Sequence, residues 1–195
     1  MADVKEQLNW ESFIAKCNSC QACDLAMNRT NAVVWRGAVK APLLFVGEGP
    51  GANEDLLGTP FVGRSGKLLD RFLDEYNIKD DQYHIMNMVK CRPPGNRKPT
   101  KAECLACKPL LDMQIDFVEP KIIVLLGATA YNYFTGDKTP ISKVRGIWQQ
   151  FENWLILPTF HPSYLLRDPR KEIYFHEDFL KIKETLDEIT RSSSD

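Results

Sequence analysis

Six cysteines in two groups are the most reactive feature of the sequence: Cys17, Cys20 and Cys23, then Cys91, Cys104 and Cys107. Cys20 and Cys23 form a C-x2-C pair, and fifteen residues separate Cys91 from Cys107. In a reducing compartment this pattern argues for metal rather than disulfides. Four thiolates close either a tetrahedral zinc site or an iron–sulfur cluster. Spacing alone does not select four of the six, and the competing reading makes two or three of them small core residues.

A second candidate site lies in "LLFVGEGPGANEDLLGTPFVGRSGKLLD", residues 43–70. An apolar run stops in a turn carrying Gly47, Gly49 and Gly51. The turn lacks the Lys and Ser/Thr of a phosphate-binding loop, and it does not match G-x-G-x-x-G. Glu48, Glu54 and Asp55 would repel a phosphate. Glycines still let the backbone approach a ligand closely, so the loop suits a neutral heterocycle or an oxygen. Glu48 is a candidate to bond that ligand or position water; its alternative is a solvated carboxylate near a helix start.

Three further residues carry chemistry. Phe61 either stacks on a flat ligand or plugs the core. Asn87, between Met86 and Met88, sits in an apolar run where a buried amide must find partners. That amide donates and accepts at once, as a pyrimidine edge requires, or it is a satisfied core Asn. His161, in "FHPS", stabilises a developing anion or moves a proton, or simply bonds the loop backbone. His84 and His176 have no comparable setting.

Alternating elements must position these groups. Compact apolar runs predict strands over 42–48, 83–90 and 121–127, with a fourth inside 153–163. Helical periodicity predicts helices over 3–16, 65–77, 101–118 and 171–190, with Thr100 capping the third. A strand-like stretch lies near "NAVVW", a helix begins at "ATAYNYF", and 191–195 reads as a frayed tail. This alternation predicts one α/β domain over residues 1–195 with a four-stranded, mainly parallel sheet. "GEGPG", "NMVKCRPP", "LLGATA" and "TFHPSYLLR" then all sit at carboxyl ends of strands, where open α/β sheets bind ligands.

Bulk properties narrow the class. The chain has 195 residues, 44% hydrophobic and 26% charged, with net charge −1. No apolar run approaches the roughly 18 residues that span a bilayer, so no membrane contact is expected. "MADVKEQLNWESF" has neither the basic start nor the continuous apolar core of a signal peptide, and a cytoplasmic protein is expected. Basic residues cluster at Arg92, Arg97, Lys98 and Lys101, and at Arg167, Arg170 and Lys171. Such patches suit modest DNA affinity or are solvated loops.

Taken in order, "GEGPGANEDLLGTPFVGRSGKLLD", "NMVKCRPPGNRKPT", "LLGATA" and "FHPSYLLR" resemble the family 4 uracil-DNA glycosylases, the iron–sulfur branch of that superfamily. The resemblance runs from about Cys20 to Arg167 and includes the family's C-x2-C-x-L-x3-R at Cys20, Cys23, Leu25 and Arg29. It implies a three-layer α/β/α fold and a [4Fe-4S] cluster on Cys20, Cys23, Cys91 and Cys107, with zinc the alternative. Cys17 and Cys104 are left as extras. It implies Glu48 as the acid of the first motif, Phe61 as the ring stacking on uracil, Asn87 as the reader of the pyrimidine edge, and His161 as the group facing uracil O2. Gly47, Gly49, Gly51 and Glu54 would line the pocket. Arg92, Arg97 and Lys98, with Ser163, Leu165, Leu166 and Arg167, would contact DNA. One departure stands out: where family 1 reads G-Q-D-P-Y, this chain has Gly49 and Gly51 at the Asp and Tyr positions.

The resemblance implies a monofunctional uracil-DNA glycosylase of base-excision repair. Its expected partner is uracil-containing DNA, single- or double-stranded, bound by a monomer; nothing singles out a sliding clamp or polymerase. The competing classes are a non-cleaving iron–sulfur module that binds uracil or single strands, and a zinc enzyme acting on free nucleotides.

Overall fold

Apolar runs bounded by glycine, asparagine or proline become strands covered on both faces. The computed structural model describes residues 9–192. Its strands are β1 (Arg36–Gly37), β2 (Leu43–Gly47), β3 (Tyr83–Asn87), β4 (Ile122–Leu126), β5 (Gln149–Phe151) and β6 (Trp154–Thr159). They form one six-stranded sheet in the order β1-β3-β2-β4-β6-β5. The four inner strands run parallel and are those the sequence predicts. The two further strands pair antiparallel at the edges. They escape the sequence pattern because they are two and three residues long and only partly buried. β1 begins one residue after the strand-like "NAVVW". β5 folds onto β6 through a tight turn in which Glu152 adopts φ 49°.

The helices are α1 (Trp10–Ser19), α2 (Ala52–Leu57), α3 (Arg64–Glu75), α4 (Lys101–Val118), α5 (Ala128–Thr135), α6 (Ile141–Val144), α7 (Pro162–Arg167) and α8 (Glu172–Ser192). The long ones fall where helical periodicity places them. The first helix, expected over 3–16, is described only from residue 9 onward. Arg191 and Ser192 still belong to α8; the rest of the expected tail lies outside the described residues. Thr100 does cap α4, in a reciprocal capping box with Glu103.

Side-chain alternation along the strands builds the layers. Phe45 and Val124 meet Leu69 and Phe72 of α3 and Phe175 and Phe179 of α8 on one face. Leu44, Val46 and Leu125 meet Leu111 and Ile115 of α4 and Tyr131 of α5 on the other. α1 adds an outer layer, with Phe13 and Cys17 packed beside Leu110. No helix among the described residues is long and apolar enough to cross a membrane.

A buried ion pair anchors the end of β6. Asp178 of α8 is fully buried and accepts from Arg145 Nε at 3.1 Å and from Thr159 Oγ1 at 2.5 Å. Thr159 is the last residue of β6, two before His161. Asp178→Ala leaves the Arg145 guanidinium, mostly buried, without its main counter-charge. The expected cost is about 3–5 kcal/mol in urea titrations, because a buried charge loses its partner.

Candidate active site and thiol pocket

Parallel register brings the last residues of the inner strands to one edge. Gly47 pairs with Asn87, and Leu126 pairs with Thr159. The glycine turn, Asn87 and the His161 segment therefore emerge side by side, as the strand order of an open α/β sheet dictates.

Gly47 is the closest point. A Cβ there would lie 2.4 Å from Asn87 Oδ1 and 2.7 Å from the Phe61 ring. Phe61 is 5% exposed, and its ring centroid is 5.7 Å from that of His161. Asn87 is 2% exposed, and its side-chain amide has no hydrogen-bond partner among the described residues. Among the described residues the buried side-chain atoms sealed without a partner are Arg36 Nε and Gln114 Oε1; the Asn87 amide is not one of them, so it opens to solvent, where a ligand can supply its partners.

The Phe61 backbone is held in an unusual state, with φ 56°. For a bulky non-glycine residue this conformation must be imposed by its surroundings. Glu54 Oε1 accepts from Val62 N at 3.0 Å and Gly63 N at 2.8 Å. Arg36 Nη1 donates to Phe61 O at 3.0 Å and is tied to Asp70. Gly66 leaves room for that carbonyl, since a Cβ at 66 would sit 1.7 Å from it. Glu54 is expected in the pocket from the sequence, whereas Arg36, Gly66 and Asp70 carry no sequence signal beyond the glycine in "GRSG".

His161 is the N-cap of α7, a helix too short for periodicity to announce. Pro162 at the first helical position starts this short helix. His161 Nδ1 accepts from Ser163 N at 3.1 Å and lies 2.8 Å from Ser163 Oγ. A backbone N–H can only donate, so the proton of neutral His161 resides on Nε2. Burial, then the positive charge of Arg167, lowers its pKa from 6.5 to about 4. At neutral pH His161 is an uncharged donor.

The acids of the glycine turn separate. Glu54 is spent on the Phe61 loop. Asp55 is 4% exposed and accepts from Thr30 N at 2.9 Å, pinning the segment after Cys23 to α2. Glu48 alone remains half-buried with no hydrogen bond among the described residues. Its charge is felt by Cys104 and Tyr133.

One of the expected DNA contacts needs correction. Leu165 is 1% exposed and packs in the α3–α8 core, because it lies on the inner side of α7. Leu166 and Arg167 are the accessible neighbours. Arg97 pairs with Glu103 through both guanidinium nitrogens, at 2.9 and 2.6 Å, so it clamps the proline-rich loop to α4. Arg97 holds the Glu103 carboxyl down at about 2. Ser163 serves His161. Arg92 bonds Asn96 within its loop through Nε at 2.7 Å, whereas exposed Lys98 has no ion pair among the described residues.

The cysteines also divide. Cys17, Cys20, Cys23, Cys91 and Cys107 line one pocket, together with Arg29 and Lys90 and no carboxylate. Cys104 instead lines a separate groove beside Tyr133 and Lys101. Arg29 Nη1 lies 3.1 Å from Cys91 Sγ. Among the described residues no three His, Cys, Asp or Glu side chains converge as a single metal ion requires. Burial raises the pKa of Cys91 and Cys107, and lifts Cys17 to about 12. Burial also lowers Lys90 to about 8.

Comparison with known proteins fits this geometry. The family model described as the uracil DNA glycosylase superfamily matches residues 34–187, and the chain belongs to that superfamily. A type-4 uracil-DNA glycosylase of Thermotoga maritima is 48% identical over 175 residues, covering 87% of this chain and 89% of that protein. One from Sulfurisphaera tokodaii is 47% identical over 175 residues, covering 85% of this chain and 80% of that protein. Within the superfamily the chain falls in the type-4 branch.

Glu54→Ala should release the Val62 and Gly63 N–H groups and lower stability by about 1–3 kcal/mol in urea titrations. Glu54→Gln keeps an acceptor oxygen and should lose clearly less.

Proposed function

We infer that the protein is a monofunctional uracil-DNA glycosylase acting in DNA repair. It takes a uracil nucleotide out of the base stack and hydrolyses the bond between base and sugar, leaving an abasic site. The observation that carries this reading is the Asn87 amide, free of protein partners among the described residues and set beside Phe61 and Gly47.

Uracil stacks on Phe61 and offers its O4 and N3–H to the Asn87 amide. Cytosine presents the reverse pattern, so a fixed amide leaves its polar groups unpaired, at about 1–3 kcal/mol per group. As the bond breaks, the sugar gains oxocarbenium character and negative charge gathers on uracil O2. His161 stabilises that charge as a neutral Nε2–H donor. Its uncharged state matters because the group must donate without holding the leaving base as a tight ion pair. Glu48, the one acid of the turn without a structural bond, positions the attacking water beside the developing cation. Lys98, Arg92, Leu166 and Arg167 face the DNA; Arg97 acts by shaping its loop.

Cys20, Cys23, Cys91 and Cys107 would hold a [4Fe-4S] cluster. A pocket of thiols and two cations without a carboxylate favours a thiolate-bound group. The C-x2-C-x-L-x3-R pattern at Cys20, Cys23, Leu25 and Arg29, which matches the iron–sulfur branch, supports a cluster over a single zinc ion. Bound there, the cluster supplies a cross-link between the segment after α1, the loop after β3 and α4.

An oligonucleotide with one uracil, incubated with the enzyme and then heated in alkali, tests the reading through strand scission. Wild type should cut. His161→Ala and Asn87→Ala should each release uracil about 10²- to 10³-fold more slowly, the usual cost of one lost transition-state donor. Full uracil release by both variants would sink the assignment.

A further inference from the structure

Lys90 is 1% exposed, and its ammonium has no carboxylate partner among the described residues. Its one hydrogen-bond acceptor among the described residues is the Asn87 main-chain oxygen, at 3.1 Å. A buried ammonium with a single carbonyl partner is costly unless anions lie close. The groups available to supply them are the thiols of the pocket that Lys90 itself lines, Cys17, Cys91 and Cys107 among them. Its position makes sense when those sulfurs are thiolates, as they are when they bind metal.

We propose that Lys90 is a positioning residue joining the two centres of this enzyme: it balances the negative charge of the thiolate-bound group and, through the Asn87 carbonyl, fixes the amide that reads the base. The proposal rests on the uracil reading and the cluster assignment above. The route is short. Asn87 ends β3, Lys90 follows three residues later, and Cys91 is next in the chain. Lys90 O also accepts from Val33 N at 2.7 Å, so its backbone is held independently of its side chain. Being buried, Lys90 cannot touch DNA. Its loss should therefore change the chemical step and the metal centre while leaving DNA affinity alone. The cluster would then have a role in base recognition that needs no electron transfer.

The test uses Lys90→Met, which keeps the stem and removes the charge, and Lys90→Arg, which keeps the charge and displaces the donor. Iron content and visible absorbance report loading, and circular dichroism reports folding. In loaded Lys90→Met, kcat for uracil release should fall roughly tenfold or more, as loss of a charge-assisted hydrogen bond implies. KM for the oligonucleotide should hold, and the cluster midpoint potential should move to more negative values, since a nearby positive charge has gone. Loaded Lys90→Arg should keep the wild-type potential yet show the lowered kcat. If Lys90→Met folds but takes up no iron, while Lys90→Arg loads and turns over slowly, charge balance and positioning are both supported. Wild-type kcat in either loaded variant overturns the positioning role, and an unchanged potential in Lys90→Met overturns the charge-balancing role. The two failures are separable: a wild-type protein that leaves uracil in DNA refutes the function itself, whereas the potential shift is read without substrate.

Discussion

The site is built around the absence of a side chain at position 47. Gly47 closes β2 where Asn87 closes β3, and a Cβ there would collide with both the Asn87 oxygen and the Phe61 ring. Glycine thus serves here for close approach rather than for an unusual φ. With the space open, a polar amide and an aromatic face stand beside one another at the end of a rigid parallel sheet. The Phe61 backbone is then forced into its left-handed conformation by Glu54, Arg36 and Gly66. Local strain at Phe61 is maintained by a scaffold that leaves it no alternative.

The same scaffold explains why acids crowd a glycine-rich turn. Glu54 and Asp55 point to backbone N–H groups of their own chain, at Val62, Gly63 and Thr30. They are structural acceptors that lock the turn to the Phe61 loop and to the segment after the cysteines. Glu48 is the acid left for the substrate. A site that must favour a sugar becoming cationic gains from a nearby negative charge, whereas a phosphate site would not.

Much of this was legible in the sequence because it rests on long periodic runs. The four inner strands and the long helices α3, α4 and α8 follow from apolar patterning, and Thr100 from its cap chemistry. The edge strands were not legible, since Arg36–Gly37 and the polar Gln149–Gln150 carry no hydrophobic period. Asn87 and His161 were recognisable as unusual residue types at strand ends, and Phe61 as an aromatic in a loop between glycines. The residues that hold them were not, because Arg36, Gly66 and Ser163 act through main-chain contacts that no spacing announces. Leu165 misled for the opposite reason: its type suits a DNA contact, but α7 turns it into the core. Among the extra cysteines, only the fold distinguishes Cys17, which shares the thiol pocket, from Cys104, which does not.

The central claim is that the Asn87 amide reads the base edge, and exchanging its chemistry tests this most directly. Asn87→Asp replaces an amide by a carboxylate that only accepts, which suits the cytosine N4 donor and opposes uracil O4. The ratio of kcat/KM for uracil to that for cytosine, measured on otherwise identical oligonucleotides, should fall by a factor on the order of a hundred or more. An unchanged ratio, with both rates reduced alike, would contradict the account.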